Sequence, residues 1–161
     1  MKNYKAPWST SLIVISSLTT VLCAGIGIGF MMSDRGTISW VVLLPFTIIA
    51  GGALFTIRGY MVTPDAVLVH RLFWTTRLPL TGLQSARFEP DAMSASIRTF
   101  GNGGLFSFSG FFRNKALGTY RAFVTDPNRT VVLRFPSRTV VVSPSTPEDF
   151  VHEIGILKHA G

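Results

Sequence analysis

TVVLRFPSRTVVVSPSTPEDF, running from Thr130 to Phe150, is the stretch whose reading decides the fold. Val131, Leu133 and Phe135 alternate with Val132 and Arg134, the period of a strand in a sheet with one wetter face. Phe135-Pro136-Ser137-Arg138 then makes a turn, because proline presets φ and serine hydrogen-bonds its own backbone, and Thr139 to Ser143 reads as the returning strand. Past Pro144 the alternation stops. Thr146 is a good N-cap, Pro147 suits the first helical turn and Asp149 stands at the capping-box offset. Phe150, Ile154 and Leu157 recur at helical spacing with Val151 beside them, so a terminal amphipathic helix is expected to plug an open end of a curved sheet.

Working back from Thr130, short segments rich in Val, Thr and Phe are punctuated by Pro, Asp, Asn and Gly. The expected strands are Tyr60 to Val62, Ala66 to Arg71, Thr75 to Leu80, Gln84 to Glu89, Ser96 to Thr99 and Leu117 to Thr125, followed by the two already described. Thr63-Pro64-Asp65 and Thr125-Asp126-Pro127-Asn128 are turns of the same kind. Strands joined by such turns are expected to be antiparallel neighbours, with the core on one side of the sheet.

Before Arg58 the composition is different. The whole chain of 161 residues is 47% hydrophobic and only 14% charged, with a mean hydropathy of +0.40, too apolar for a water-soluble domain of average composition. Residues 11–32 and 37–57 carry no charged side chain, and each is long enough as a helix for a hydrocarbon core of roughly 30 Å. We therefore expect a transmembrane hairpin over residues 1–57, with spans at about 9–32 and 37–57, and one soluble domain over residues 58–161. Only Ser33-Asp34-Arg35-Gly36 separates the spans, Trp40 lies near one end of the second, and Pro45 can kink it. The first run is too long for the apolar part of a signal peptide, so it is read as retained. Lys2, Lys5, Arg58, Arg71 and Arg77 flank one side against Arg35 alone on the other. Positive-inside bias therefore places both termini and the domain in the cytoplasm. Gly25 and Gly29 form a G-x-x-x-G pair and are the expected helix-packing residues, inside the hairpin before any homo-oligomer.

Charge and reactive groups narrow the functions. After Ile57 basic side chains outnumber acidic ones by five, which suits anionic lipid or an acidic partner; no nucleic-acid-binding pattern accompanies that charge. Cys23 is the single cysteine, so no intrachain disulfide forms, and the histidines do not close a metal site. No nucleophile motif is present, no cofactor is called for, and no enzyme is expected. Gly101-Asn102-Gly103-Gly104 lacks the Lys-Ser/Thr ending and following helix of a phosphate loop and reads as a flexible turn.

The order of about seven short antiparallel strands and one C-terminal helix resembles a bacterial PH (pleckstrin-homology-like) domain. The resemblance is carried by Tyr60 with Thr63-Pro64-Asp65, by Leu78-Pro79-Leu80, and by Gly101-Asn102-Gly103-Gly104. It continues through Gly118-Thr119-Tyr120, Phe123-Val124-Thr125-Asp126, Val141-Val142-Ser143-Pro144 and Pro147-Glu148-Asp149-Phe150. It implies a mainly β, PH-like curved antiparallel sheet or barrel behind two transmembrane helices, acting as an interaction module in the bacterial inner membrane with no established reaction. The lipid-reading members of the wider fold cluster Lys and Arg around their first hairpin, whereas His70 to Arg77 offers two separated arginines, Arg71 and Arg77.

The expected partner is a protein or peptide met at the bilayer, the alternative being an anionic lipid surface read by basic and aromatic loops. The candidate contact residues are Arg71, Arg77, Phe111, Phe112, Arg113 and Lys115. Phe111 to Lys115 is read as a loop dipping into the cytoplasmic interface; if it is instead a strand, adjacent Phe111 and Phe112 point to opposite faces and one is exposed.

Overall fold

The structure, a computed structural model, describes residues 2–32 and 43–159. The expected interhelical loop at Asp34 and Arg35, Trp40, and the first residues of the second span lie outside the described residues.

The chain opens with a strand the sequence did not announce, β1 (Lys2–Lys5). Only Tyr4 of its four residues is buried, and it pairs antiparallel to β2 (Ile57–Val62) with Tyr4 opposite Tyr60. With β3 (Ala66–Arg71) and β4 (Thr75–Pro79) this makes a four-stranded sheet in chain order. Thr63-Pro64-Asp65 is the expected turn, its Thr63 hydroxyl accepting from the Ala66 N–H at 3.1 Å.

The second sheet contains β5 (Ser85–Phe88), β6 (Ile97–Gly103), β7 (Phe108–Asn114), β8 (Gly118–Val124), β9 (Val131–Arg134) and β10 (Thr139–Val142). Its order is β5-β9-β10-β8-β7-β6. Three expectations change here. Ten strands are described instead of about seven, β1 and β7 being the additions that no expected strand covered. The Thr125–Asn128 turn does not join neighbours: β10 lies between β8 and β9 and runs parallel to β8, so the second sheet is mixed. The reason is local, for Asp126 caps a 3-10 helix at Pro127–Arg129 by accepting from the Asn128 N–H at 3.0 Å. That widens the connection from a hairpin to a step across one intervening strand, roughly 10 Å at normal strand spacing.

The core is also not one-sided. Tyr60, Phe123, Leu133 and Val142 pack between the sheets, closed by α3 (Pro147–His159) through Phe150 and Ile154, as the terminal stripe requires. On the other face of the six-stranded sheet Phe112, Tyr120, Val132 and Val141 form a second buried cluster. Residues 89–96 cover it: Ser96 and Tyr120 hydroxyls meet at 2.6 Å, and Asn114 Nδ2 donates to the Ala92 carbonyl at 2.9 Å. Val132, expected on the wetter face, is fully buried for that reason.

Ser9 starts α1 (Thr10–Met32), its hydroxyl accepting from the Leu12 N–H at 3.2 Å. This is the one described helix long and apolar enough to cross a membrane, with a mean hydropathy of 2.1. Most of its large apolar side chains, from Ile13 to Met32, are exposed. Its neighbour α2 (Leu43–Leu54) is apolar and 12 residues long in the described part. The glycine between these helices is Gly27, where an added Cβ would stand 2.6 Å from the Phe46 ring. Gly25 and Gly29, expected to pack, are exposed with no described residue within 4 Å of a Cβ, because the helix turns Gly27 and not the flanking pair toward Phe46.

Candidate functional site

Alternation along β7 and β8 sorts their side chains onto two faces. In register Ser109 lies opposite Phe123 and Phe111 opposite Arg121. These four line a cavity of about 560 Å³ together with Phe100 of β6, Arg71 at the end of β3, and Gly51 and Gly52 of α2. That volume lies in the range of small-molecule sites.

The wall at β6 is held close by two glycines. Gly101 pairs with Gly110 at φ values of 107° and 145°, and a Cβ on either would come within 2.4 Å of the opposite backbone. No side chain fits there, so β6 curls over the cavity. Its continuation is not a flexible turn. Gly101 to Gly103 belong to β6, and Asn102 accepts from the Leu105 N–H at 3.0 Å. Ser16 of α1 donates to the Gly104 carbonyl at 3.3 Å and accepts from the Phe106 N–H at 2.9 Å. The loop after β6 is thereby fastened to the base of α1.

Arg71 is the centre of the site. It is 8% exposed, donates through Nη2 to the Ser109 hydroxyl at 2.7 Å and through Nη1 to the Phe55 carbonyl at 3.2 Å, and its Nε has no partner among the described residues. Its guanidinium lies 5.4 Å from the Phe55 ring, 5.7 Å from Trp74 and 5.3 Å from Phe123. Arg121 stands over the same Phe123 ring at 4.8 Å and over Phe111 at 5.8 Å. Burial, and then the charge of Arg121, hold the Arg71 pKa below the ordinary arginine value. Among the described residues no carboxylate forms an ion pair with Arg71, Arg98 or Arg121.

Of the residues proposed from sequence, the structure brings Arg71 and Phe111 together in this cavity. Arg77 is exposed on β4, outside the cavity lining, and Phe112 is buried in the second core, stacked on Tyr120 at 6.1 Å. Arg113 and Lys115 are exposed at the end of β7 remote from α1. The loop reading of Phe111 to Lys115 is corrected: Phe111 to Asn114 are strand, Phe111 to Arg113 paired on both edges and Asn114 on the β8 edge, and the turn begins at Lys115. From Phe108, at the helix end, to Lys115 is roughly 20 Å of extended chain. The aromatic residues beside the helix bases are Trp8, Phe55, Phe73 and Trp74, all partly or largely exposed. Sequence reading missed Arg121, Arg98, Ser109 and Phe123. The available signal was a single arginine inside the otherwise apolar alternation Tyr120 to Val124.

A family model described as bacterial PH domain matches residues 58–156, more than half of the chain. No curated protein and no solved structure matches it. The two-sheet body closed by a C-terminal helix agrees with that match. The chain belongs to the bacterial PH domain family.

Proposed function

We propose that the protein is a membrane-anchored interaction module whose PH-like domain is held against the cytoplasmic face of the inner membrane, with the Arg71 cavity as its ligand site. The observation that carries this reading is the absence of slack between helix and domain. β1 is hydrogen-bonded to β2 immediately before α1 begins, and Ser16 of α1 holds the loop after β6. β1 and the domain therefore stand on the same side of the helix pair, as two crossings require. The flanking basic residues support the cytoplasmic side. Trp8, Phe55, Phe73 and Trp74 supply the amphipathic and apolar rings that favour a membrane interface.

A protein or peptide partner has its own support. β6 is the outer strand of its sheet, and Ile97 and Phe100 on it are 73% and 76% exposed, an apolar edge able to accept an added strand.

Placement is testable with single cysteines at Phe73 and Thr119 in a Cys23→Ser background. Both should react with an impermeant maleimide only from the cytoplasmic side. A dye at position 73 should be quenched by spin-labelled headgroups more strongly than one at 119, which lies on the start of β8 away from α1. Labelling from the outer side, or equal quenching, overturns the reading.

A further inference from the structure

We infer that the Arg71 cavity is an oxyanion site that takes a phosphate ester, its charged oxygens on Arg71 and Arg121 and its attached group against Phe100 and Phe111. The inference deepens the proposed ligand-binding module and rests on that reading for the site's position at the membrane.

A guanidinium carries five N–H donors. Two donors of Arg71 are engaged by Phe55 and Ser109, while its Nε is buried without a partner among the described residues although the side chain borders open space. Buried donors are ordinarily satisfied, and a buried cation ordinarily has a counter-charge. Here the charge has aromatic rings around it and a second cation over the same Phe123 ring. No acidic residue occurs between Asp91 and Asp126, the stretch that supplies most of the cavity wall.

Arg98 also lines the cavity. Three arginines without a carboxylate favour a dianion over a monoanion. Planar guanidinium forks suit the tetrahedral oxygens of phosphate. Beside the arginines and the polar Ser109 and Asn102, aromatic rings line the cavity: Phe100 is 76% exposed and Phe111 45% exposed. Those rings would cover a hydrocarbon or aromatic group joined to the phosphate. A lipid headgroup and a soluble phosphate ester share this chemistry.

The test uses the full chain in a maltoside detergent and phosphate-free buffer, followed by intrinsic tryptophan fluorescence and calorimetry. The probes are phenyl phosphate and dihexanoyl phosphatidic acid, with phenol and dihexanoyl glycerol as neutral controls. Saturable binding is expected for the phosphate probes alone. Arg121→Gln, an exposed position, should weaken it on the order of tenfold or more, as loss of a charge-assisted contact does. Arg71→Gln should abolish it, with near-ultraviolet circular dichroism reporting whether that variant keeps its packing. Tighter binding of phosphatidic acid identifies a lipid source, and tighter binding of phenyl phosphate a soluble one. Failure of both probes to saturate, equal binding of the neutral controls, or an Arg121→Gln variant that binds like the parent overturns the site. The cysteine labelling above involves no ligand. A correctly placed domain that fails here loses only the oxyanion site, and a misplaced domain that still binds loses only the membrane placement.

Discussion

Phe111 and Phe112 are adjacent in the chain and meet opposite fates. Phe112 turns toward Tyr120, Val132 and Val141 and is 4% exposed; Phe111 turns toward Arg121 and is 45% exposed. The two faces of β7 and β8 differ because different things cover them. Residues 89–96 close one face with apolar contacts and a hydrogen bond between the Ser96 and Tyr120 hydroxyls. The other face is roofed by Gly51 and Gly52 of α2, which bring no side chain, and an opening remains. Into that opening β8 places Arg121, joined by Arg98 of β6 and Arg71 of β3, where its closed face has Tyr120, Ala122 and Val124. The same hydrogen-bond ladder thus carries a closed face and a partly open one at β7 and β8, the difference being made by what packs on top.

The largest effect that tests this contrast is truncation of the paired phenylalanines. Phe112→Ala should destabilise the full chain by about 3–5 kcal/mol, the usual range for a buried ring, whereas Phe111→Ala should cost under about 1 kcal/mol. Denaturant titration in detergent reads both, and equal losses would mean that the two faces are packed alike.

Next in size is an alkaline loss of stability centred on Tyr60. Its hydroxyl lies between the sheets, donating to the Phe123 carbonyl at 2.7 Å, and burial pushes its pKa from 10.0 up to about 12. In the unfolded chain the phenol ionises first, so above pH 10.0 the unfolded state releases a proton the folded state keeps. Stability should be unaffected by this group below that pH and should fall by about 1.4 kcal/mol per unit as pH approaches the folded value. Tyr4 and Tyr120 are shifted the same way, so the Tyr60 share is the slope that Tyr60→Phe removes. An unchanged slope in that variant would assign the loss elsewhere.

The smallest effect concerns the cover over the closed face. Ser96→Ala removes the partner of the Tyr120 hydroxyl and should cost about 0.5–1.5 kcal/mol, measured against the parent in the same titration. It should leave the phosphate binding proposed for the opposite face intact, since no residue of the cavity touches Ser96 in a described hydrogen bond.

Local chemistry explains what was legible. The terminal helix was announced by Thr146, Pro147 and the spacing of Phe150 and Ile154, because capping and a helical stripe depend on residues within a few positions of each other. The Thr63–Asp65 and Phe135–Arg138 turns were legible on the same ground. β1 was hidden because four residues with one buried tyrosine carry too little alternation to be seen, and it is a strand only because β2 offers an unpaired edge. β7 was hidden because Gly110 and paired phenylalanines disguise its period.

By itself the sequence determined two things about this protein: an apolar N-terminal part joined to a β-rich domain, and that domain's membership of the bacterial PH family through the order of its strands, turns and terminal helix. Both follow from composition and short-range pattern. Only the tertiary structure decided that β10 enters between β8 and β9, that Gly27 and not Gly25 or Gly29 meets Phe46, and that Arg71, Arg98 and Arg121 line one cavity. Those arginines come from β3, β6 and β8, in two different sheets, and no periodicity along a chain reports which strand ends will face each other across a fold. The physical reason is that their juxtaposition is set by long-range packing of α2 and two sheets around Phe123, a contact between residues far apart in sequence.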